Sequence, residues 1–380
     1  MSSYQHRDGL ETTPAEVLEE FKDPHLKSRE VTGHPGAHRD AANMRRHFGI
    51  PPFDPDAFEW GLVDDVLVHE VDADAGRTAG GTDVFAVGAP GSGKSSLANY
   101  WAVRLSEIND EKVVWRASPS RSEWLPLAPW ATLWLPEGDV EARLRPTDPR
   151  ESAVRVGVED LEAIVRDIER YATPRDLNDS MDSGINIVYP DPAMSGCETV
   201  VERSARQVEP PDGREELFSP DDPTKHWWFA WVLDRVDSGP HDWTTWICDE
   251  IGDICPHGAR KDSYATYQKV ELLKDTWVDA RKHHLSIYGF GHAEADVHGM
   301  VRRKMRWRVA MPTSSNPTSA SGIVGFQTVP MRTDMTSEWG PGRALMFTES
   351  SFQQFRWKPM PTGTDWKLHV RVNPHISVSQ

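Results

Sequence analysis

The stretch FAVGAPGSGKSSLANYWAVRL, residues 85–105, decides the fold. Residues 83–87 are a short apolar run of strand type, residues 88–95 fill the spacing G-x-x-x-x-G-K-S without a gap, and residues 95–105 read as a helix. Strand, glycine-rich turn and helix in that order are the setting in which this motif cradles phosphate groups. The turn and helix start, Gly88, Ala89, Pro90, Gly91, Ser92, Gly93, Lys94, Ser95 and Ser96, are therefore the expected nucleotide contacts. Glycine lets backbone N–H groups turn inward, and the helix N-terminus adds the positive end of its dipole. Lys94 is expected to reach the β- and γ-phosphates, and the Ser95 hydroxyl to be placed for Mg²⁺. The expected ligands are ATP and Mg²⁺.

Composition bounds the rest. At 380 residues the chain has room for one large α/β domain or two smaller ones. Its formal net charge is −17, with 12 lysines against 30 arginines, a balance that resembles proteins of extreme halophiles. A surface this acidic argues against coating nucleic acid over its whole face, so any DNA contact must come from a local basic patch or pore loop. Cys197, Cys248 and Cys255 are too few for a disulfide framework in a chain of this size. Cys248, Cys255 and His257 lack a fourth ligand at a usual zinc spacing. No apolar run approaches the ~20 residues of a membrane span, and the N-terminus has no signal-peptide core, so an intracellular or particle-enclosed location is expected.

Along the chain, residues 1–80 read as an N-terminal arm or adaptor, rich in turn formers. Strands are expected at residues 112–117, 185–189, 243–248, 285–290 and 306–310, and helices at 158–171, 224–236, 264–284 and 297–304. Residues 322–372 hold several short strands, and 373–380 form a tail. The 155 positions from Lys94 to Asp249 leave room for an insertion at about 118–222, within a domain of residues 81–372. The sixteen tryptophans fall mostly on or beside these elements, where core packing is a better use of them than base stacking.

A phosphate cradle hydrolyses nothing by itself. It needs a strand that ends in carboxylates, one for hydrated Mg²⁺ and one to polarise water. TTWICDEIGD, residues 244–253, supplies that, with Asp249 assigned to Mg²⁺ and Glu250 to the general base; Asp253 is the rival base. The next strand, in LSIYGFGH, ends at His292, a polar side chain placed to sense the γ-phosphate, with His298 as competitor. Arg302, Arg303, Lys304, Arg306 and Arg308 then crowd into seven residues of an acidic chain. An arginine finger for a neighbouring subunit, a DNA-facing patch and intramolecular pairing with carboxylates all remain open for this cluster.

With these pieces in place, the chain resembles the FtsK–HerA superfamily of P-loop DNA-translocating ATPases. GAPGSGKSS, WICDE, LSIYGFGH, the arginine-bearing helix–strand after it, and GPGRALMF with FQQFRW as a C-terminal hairpin carry the resemblance, over about residues 80–360. It implies an α/β fold of the RecA type, a mostly parallel central sheet flanked by helices with a C-terminal β-hairpin region. Within the superfamily the chain looks most like ATPases of viruses and plasmids of halophilic archaea, including genome-packaging motors. The resemblance implies Arg302 or Arg303 as a finger at a subunit boundary, a homo-oligomeric ring, in this case a hexamer, and double-stranded DNA as the partner. A capsid-vertex or membrane-associated protein would dock the ring, in the host cytoplasm or on the virion. A histidine stands where the superfamily usually has glutamine or another small polar sensor, and the membrane anchor of conjugation-type coupling proteins is missing. No ABC-type signature and no guanine-specificity motif is present. The sequence therefore points to an ATP-driven motor that translocates or packages double-stranded DNA; the alternative is a nucleotide-gated assembly factor that binds ATP without threading DNA.

Overall fold

The computed structural model describes residues 4–5, 11–12, 41–54, 66–69, 81–148, 150, 152–312, 336, 338–348, 351–361 and 366–373. Strands β1 (Tyr4–Gln5) and β2 (Glu11–Thr12) pair antiparallel with each other, and α1 (Ala41–His47) follows. The phosphate-loop unit is β3 (Asp83–Val87) and α2 (Lys94–Asn109), leading into β4 (Lys112–Arg116). Next come β5 (Ala131–Pro136), β6 (Val140–Pro146), β7 (Val154–Val156), β8 (Asp167–Tyr171), α3 (Pro174–Ser180), β9 (Gly184–Val188) and α4 (Cys197–Arg203). The chain continues through α5 (Trp227–Asp237), β10 (Thr244–Cys248), α6 (Ile251–Ile254), α7 (Thr266–Ala280), β11 (Leu285–Gly291) and α8 (Gly299–Arg302). It ends with β12 (Trp307–Ala310), β13 (Arg343–Phe347), β14 (Phe352–Arg356) and β15 (Trp366–Val372).

Among the described residues, one sheet runs in the order β14–β13–β12–β3–β11–β10–β4–β9–β5–β8. Every pairing from β12 across to β8 is parallel, and β13 and β14 close the other edge as an antiparallel hairpin. Such strands are apolar throughout because helices cover both faces. Alternate residues supply the two cores: Val84 and Ala86 face the side of α2, while Phe85 faces the side of α5 and α7. Val113 and Trp115 against Val114, and Ile247 against Trp246 and Cys248, repeat the pattern, the period of two that a strand imposes.

Chain order and sheet order differ at one consequential place. β3 passes through α2 to β4, yet β10 and β11 later fill the two positions between them. The carboxyl ends of β3, β11 and β10 therefore lie side by side, the crevice where open α/β sheets bind ligands.

The helix expected over 158–171 does not form. Glu159–Ala163 is a single 3₁₀ turn, and Asp167–Tyr171 is a strand, parallel to β5 with Thr132 opposite Asp167. Leu161, Ile164 and Val165 are buried and mimic helical spacing, but they cover the sheet through a turn. The segment read as an insertion gives β5, β8 and β9 to the main sheet, while β6 and β7 pair with β15 in a three-stranded sheet. Part of the arm also packs on the body: Met44, Ile50, Val66 and Leu67 are buried in the same core as Leu97 and Trp101.

Candidate nucleotide site

The loop between β3 and α2 takes its shape from close contacts. A Cβ on Gly88 would stand 2.5 Å from both Met311 Cβ and Ser92 Oγ, so only glycine fits there. Gly93, at φ +96°, is the left-handed residue from which α2 starts, and its carbonyl accepts the Leu97 N–H at 2.9 Å. The loop is backed by the C-terminal hairpin. Ser96 Oγ accepts from the Met360 N–H at 2.8 Å and from Trp357 Nε1 at 3.3 Å, and a Cβ on Gly93 would meet Pro341 at 3.3 Å. Ser96 thus joins helix to hairpin, while Ser95 is half-buried at the helix start. Among the described residues the buried Ser92 hydroxyl has no hydrogen-bond partner, which suits a loop meant to hold an anion.

Lys94 is 8% exposed and folds back on its own loop, donating to Gly88 O at 2.7 Å and Ala89 O at 3.2 Å. Burial draws its ammonium below the ordinary lysine value, against the pull of Glu250 and Asp249. Its third contact is His292 Nδ1, at 3.2 Å. His292 Nε2 in turn lies 2.9 Å from Glu250 Oε1. An ammonium can only donate, so Nδ1 accepts from Lys94 and Nε2–H donates to the carboxylate. The histidine at the end of β11 therefore links the cation of the phosphate loop to the acidic end of β10. Its competitor His298 is elsewhere, accepting the Met300 N–H at the start of α8.

Glu250 has φ +52° and ψ +58°, a left-handed conformation rare for a side chain of its size. Asp249, 7% exposed, precedes it, and its Oδ1 accepts the Glu250 N–H at 3.1 Å. Asp253, the rival base, is turned to Arg116 at 3.4 Å and does not share the Lys94–His292 line. Arg116 also donates to the main-chain oxygen of Asp249. One residue of the site escaped sequence reasoning: Arg121 Nη1 is 2.8 Å from Asp249 Oδ2 and 3.5 Å from Glu250 Oε1. Burial pulls the Arg121 guanidinium down, but Asp249 and Glu250 more than offset it and hold it above its ordinary value. The hydroxyl of Ser95 and the carboxylate of Asp249 are hard oxygen donors, the set that Mg²⁺ takes beside phosphate oxygens.

The arginine cluster disperses. Arg302 donates to Glu294 O at 3.0 Å, and Arg308 is buried, 3.7 Å from Glu294 Oε2 and above the Phe85 ring. Arg306 pairs with Asp83 at 3.0 Å, at the start of β3 and about 13 Å along the strand from the loop. Arg303 and Lys304 are exposed. The cysteines weighed for zinc are buried: Cys248 is pushed up to about 12 by burial, and Cys255 rises for the same reason.

The fold is α/β, a mostly parallel central sheet flanked by helices with a glycine-rich loop between β3 and α2. No family model and no curated protein matches the chain. Among solved structures, it is similar to the genome packaging NTPase B204 from Sulfolobus turreted icosahedral virus 2, at 10% identity and a TM-score of 0.41, covering 75% of this chain and 100% of that one. It is also similar to the N-terminal domain of zonular occludens toxin from Neisseria meningitidis, at 12% identity and 0.27, covering 75% and 87%. Thermomonospora curvata EccC (ATPases 2 and 3) matches at 13% identity and 0.33, over 74% of this chain and 39% of that one.

Proposed function

We propose that the protein is a Mg²⁺-dependent ATPase that moves or packages double-stranded DNA as a homo-oligomeric ring, a hexamer. The line Lys94–His292–Glu250 carries the reading, because it joins a phosphate-binding cation, a polar relay and a carboxylate across three adjacent strands. A bound Mg²⁺ would neutralise charge building on the phosphates. Backbone N–H groups of the loop and Lys94 would hold the phosphates, and Ser95 and Asp249 would hold the metal. Glu250 takes the proton of the attacking water at its carboxylate. His292 reports between the two halves of the site. Arg303 is the finger candidate: it is exposed, and its neighbour Arg306 is tied to the far end of β3, so it would serve another subunit's site. Arg302 is the second candidate, once released from Glu294. A capsid-vertex or membrane-associated protein would dock the ring, in the host cytoplasm or on the virion. No helix among the described residues is long and apolar enough to cross a membrane.

ATP turnover in molar salt, with and without duplex DNA, tests the reading. Lys94→Ala should lose nucleotide binding while keeping its fold. Glu250→Gln should bind nucleotide and hydrolyse it ~10²–10⁴-fold more slowly. Mixing Arg302→Ala/Arg303→Ala subunits with Glu250→Gln subunits should restore part of the turnover. Hydrolysis indifferent to DNA, from a protein that forms no ring, would favour a nucleotide-gated assembly factor instead.

A further inference from the structure

We propose that Arg121 is a positioning residue that holds Asp249 and Glu250 in a resting arrangement and gives up Asp249 when a divalent cation enters. The proposal rests on the nucleotide-site reading above, and it concerns how that site is kept at rest.

Every oxygen of Asp249 is engaged. Oδ2 faces Arg121 Nη1 at 2.8 Å, Oδ1 accepts the Glu250 N–H at 3.1 Å, and the main-chain oxygen accepts from Arg116. A hard cation needs one carboxylate oxygen, and Oδ2 is the one held by a partly exposed side chain rather than by backbone. Two positive charges on one carboxylate oxygen repel, so guanidinium and metal compete. Glu250 is held at one oxygen, Oε1, by the same arginine at 3.5 Å and by His292 at 2.9 Å, so Arg121 bridges the two carboxylates.

The backbone beneath Arg121 is fixed. Arg121 forms an isolated bridge with Ser118, the Glu123 carbonyl accepts Asn99 Nδ2 at 2.9 Å, and Trp124 is fully buried. Asn99 belongs to α2, so the loop bearing Arg121 is tied to the phosphate-loop helix itself. The Arg121 side chain, 32% exposed, retains room to swing.

The test uses the full chain and a fluorescent, non-hydrolysable ATP analogue, titrated with Mg²⁺ in molar salt. In Arg121→Gln the Mg²⁺ concentration at which analogue binding is half-tightened should fall about tenfold, the scale set by one charge-assisted hydrogen bond. Arg121→Lys, which keeps a cation with a single point of contact, should fall between wild type and Arg121→Gln. Should Arg121→Gln fail to fold, the lysine variant carries the test with the smaller shift. An unchanged or raised half-point overturns the proposal, because Arg121 would then support the metal or the nucleotide. Lys94→Ala in the same assay separates the two readings. If it retains full analogue affinity, the nucleotide site itself is misassigned. If it loses affinity while the Arg121 variants leave the Mg²⁺ half-point alone, only the role of Arg121 fails.

Discussion

Glu250 holds its place at the end of β10 at a conformational cost. A non-glycine residue in the left-handed region is disfavoured by roughly 1–2 kcal/mol, because Cβ crowds the following carbonyl. Glu250, at φ +52°, is held there at the turn from β10 into α6. Replacing it with glycine or with alanine removes the same carboxylate but only glycine removes the strain. Glu250→Gly should therefore be more stable than Glu250→Ala by about 1 kcal/mol in urea unfolding, with both devoid of turnover; equal midpoints would mean that the conformation costs nothing. That Lys94, Asp249 and Glu250 would lie together was legible in the sequence because each belongs to a short motif at the end of a strand, and His292 because it ends the next strand. Arg121 was not. It sits five residues beyond β4, and only the folding of β4 beside β10 brings it to Asp249. No spacing within the chain encodes that meeting.

Elements were legible where periodicity and burial agree, and illegible where a turn imitated a helix. The strands β3, β10 and β11 are short apolar runs with both faces covered. Residues 158–171 offered buried positions at helical intervals, yet β8 forms because Asp167–Tyr171 completes the edge beside β5. Helix α5 shows what a correctly read element contributes. Trp228 is fully buried, stacked on Trp246 at 5.4 Å and edge-on to Trp231 at 5.3 Å. Its indole N–H has no partner among the described residues. The ring therefore works through packing alone, and removing its nitrogen forfeits no hydrogen bond. Trp228→Ala should cost about 3–5 kcal/mol, and Trp228→Phe only about 1–2 kcal/mol, read from guanidinium midpoints. Equal costs for the two variants would reveal a bond made by the indole nitrogen.

At the scale of the whole molecule, a polar cluster away from the nucleotide site ties three segments together. Asp222, before α5, faces Lys269 of α7 at 2.8 Å and Arg214 at 3.1 Å, and Lys269 donates to His226 Nδ1 at 3.1 Å. Lys269 is fully buried, and burial lowers it to about 8 in spite of Asp222. Burial first, and then the charge of Lys269, hold His226 at about 3, although Asp222 and Asp262 pull the other way. The native ring is therefore neutral down to strongly acid pH, whereas an unfolded histidine takes its proton near 6.5. Between about pH 6.5 and 3 the unfolded chain binds one proton more at this position, so stability rises with pH across that window and is lost on acidification. The slope from this residue approaches about 1.4 kcal/mol per pH unit, or roughly 2–3 kcal/mol between pH 6.5 and 4.5. Asp222, held below the ordinary carboxylate value, loses stability in the same direction but only as pH falls toward its own lower range. Its contribution therefore steepens the acid end. His226→Gln keeps an acceptor for Lys269 and removes the titrating ring. Urea midpoints taken every half unit from pH 7.5 to 4.5, at constant molar salt, should fall more steeply for the wild type than for the variant. Parallel curves would mean that His226 charges in the folded protein, and that Lys269 and burial do not keep it neutral.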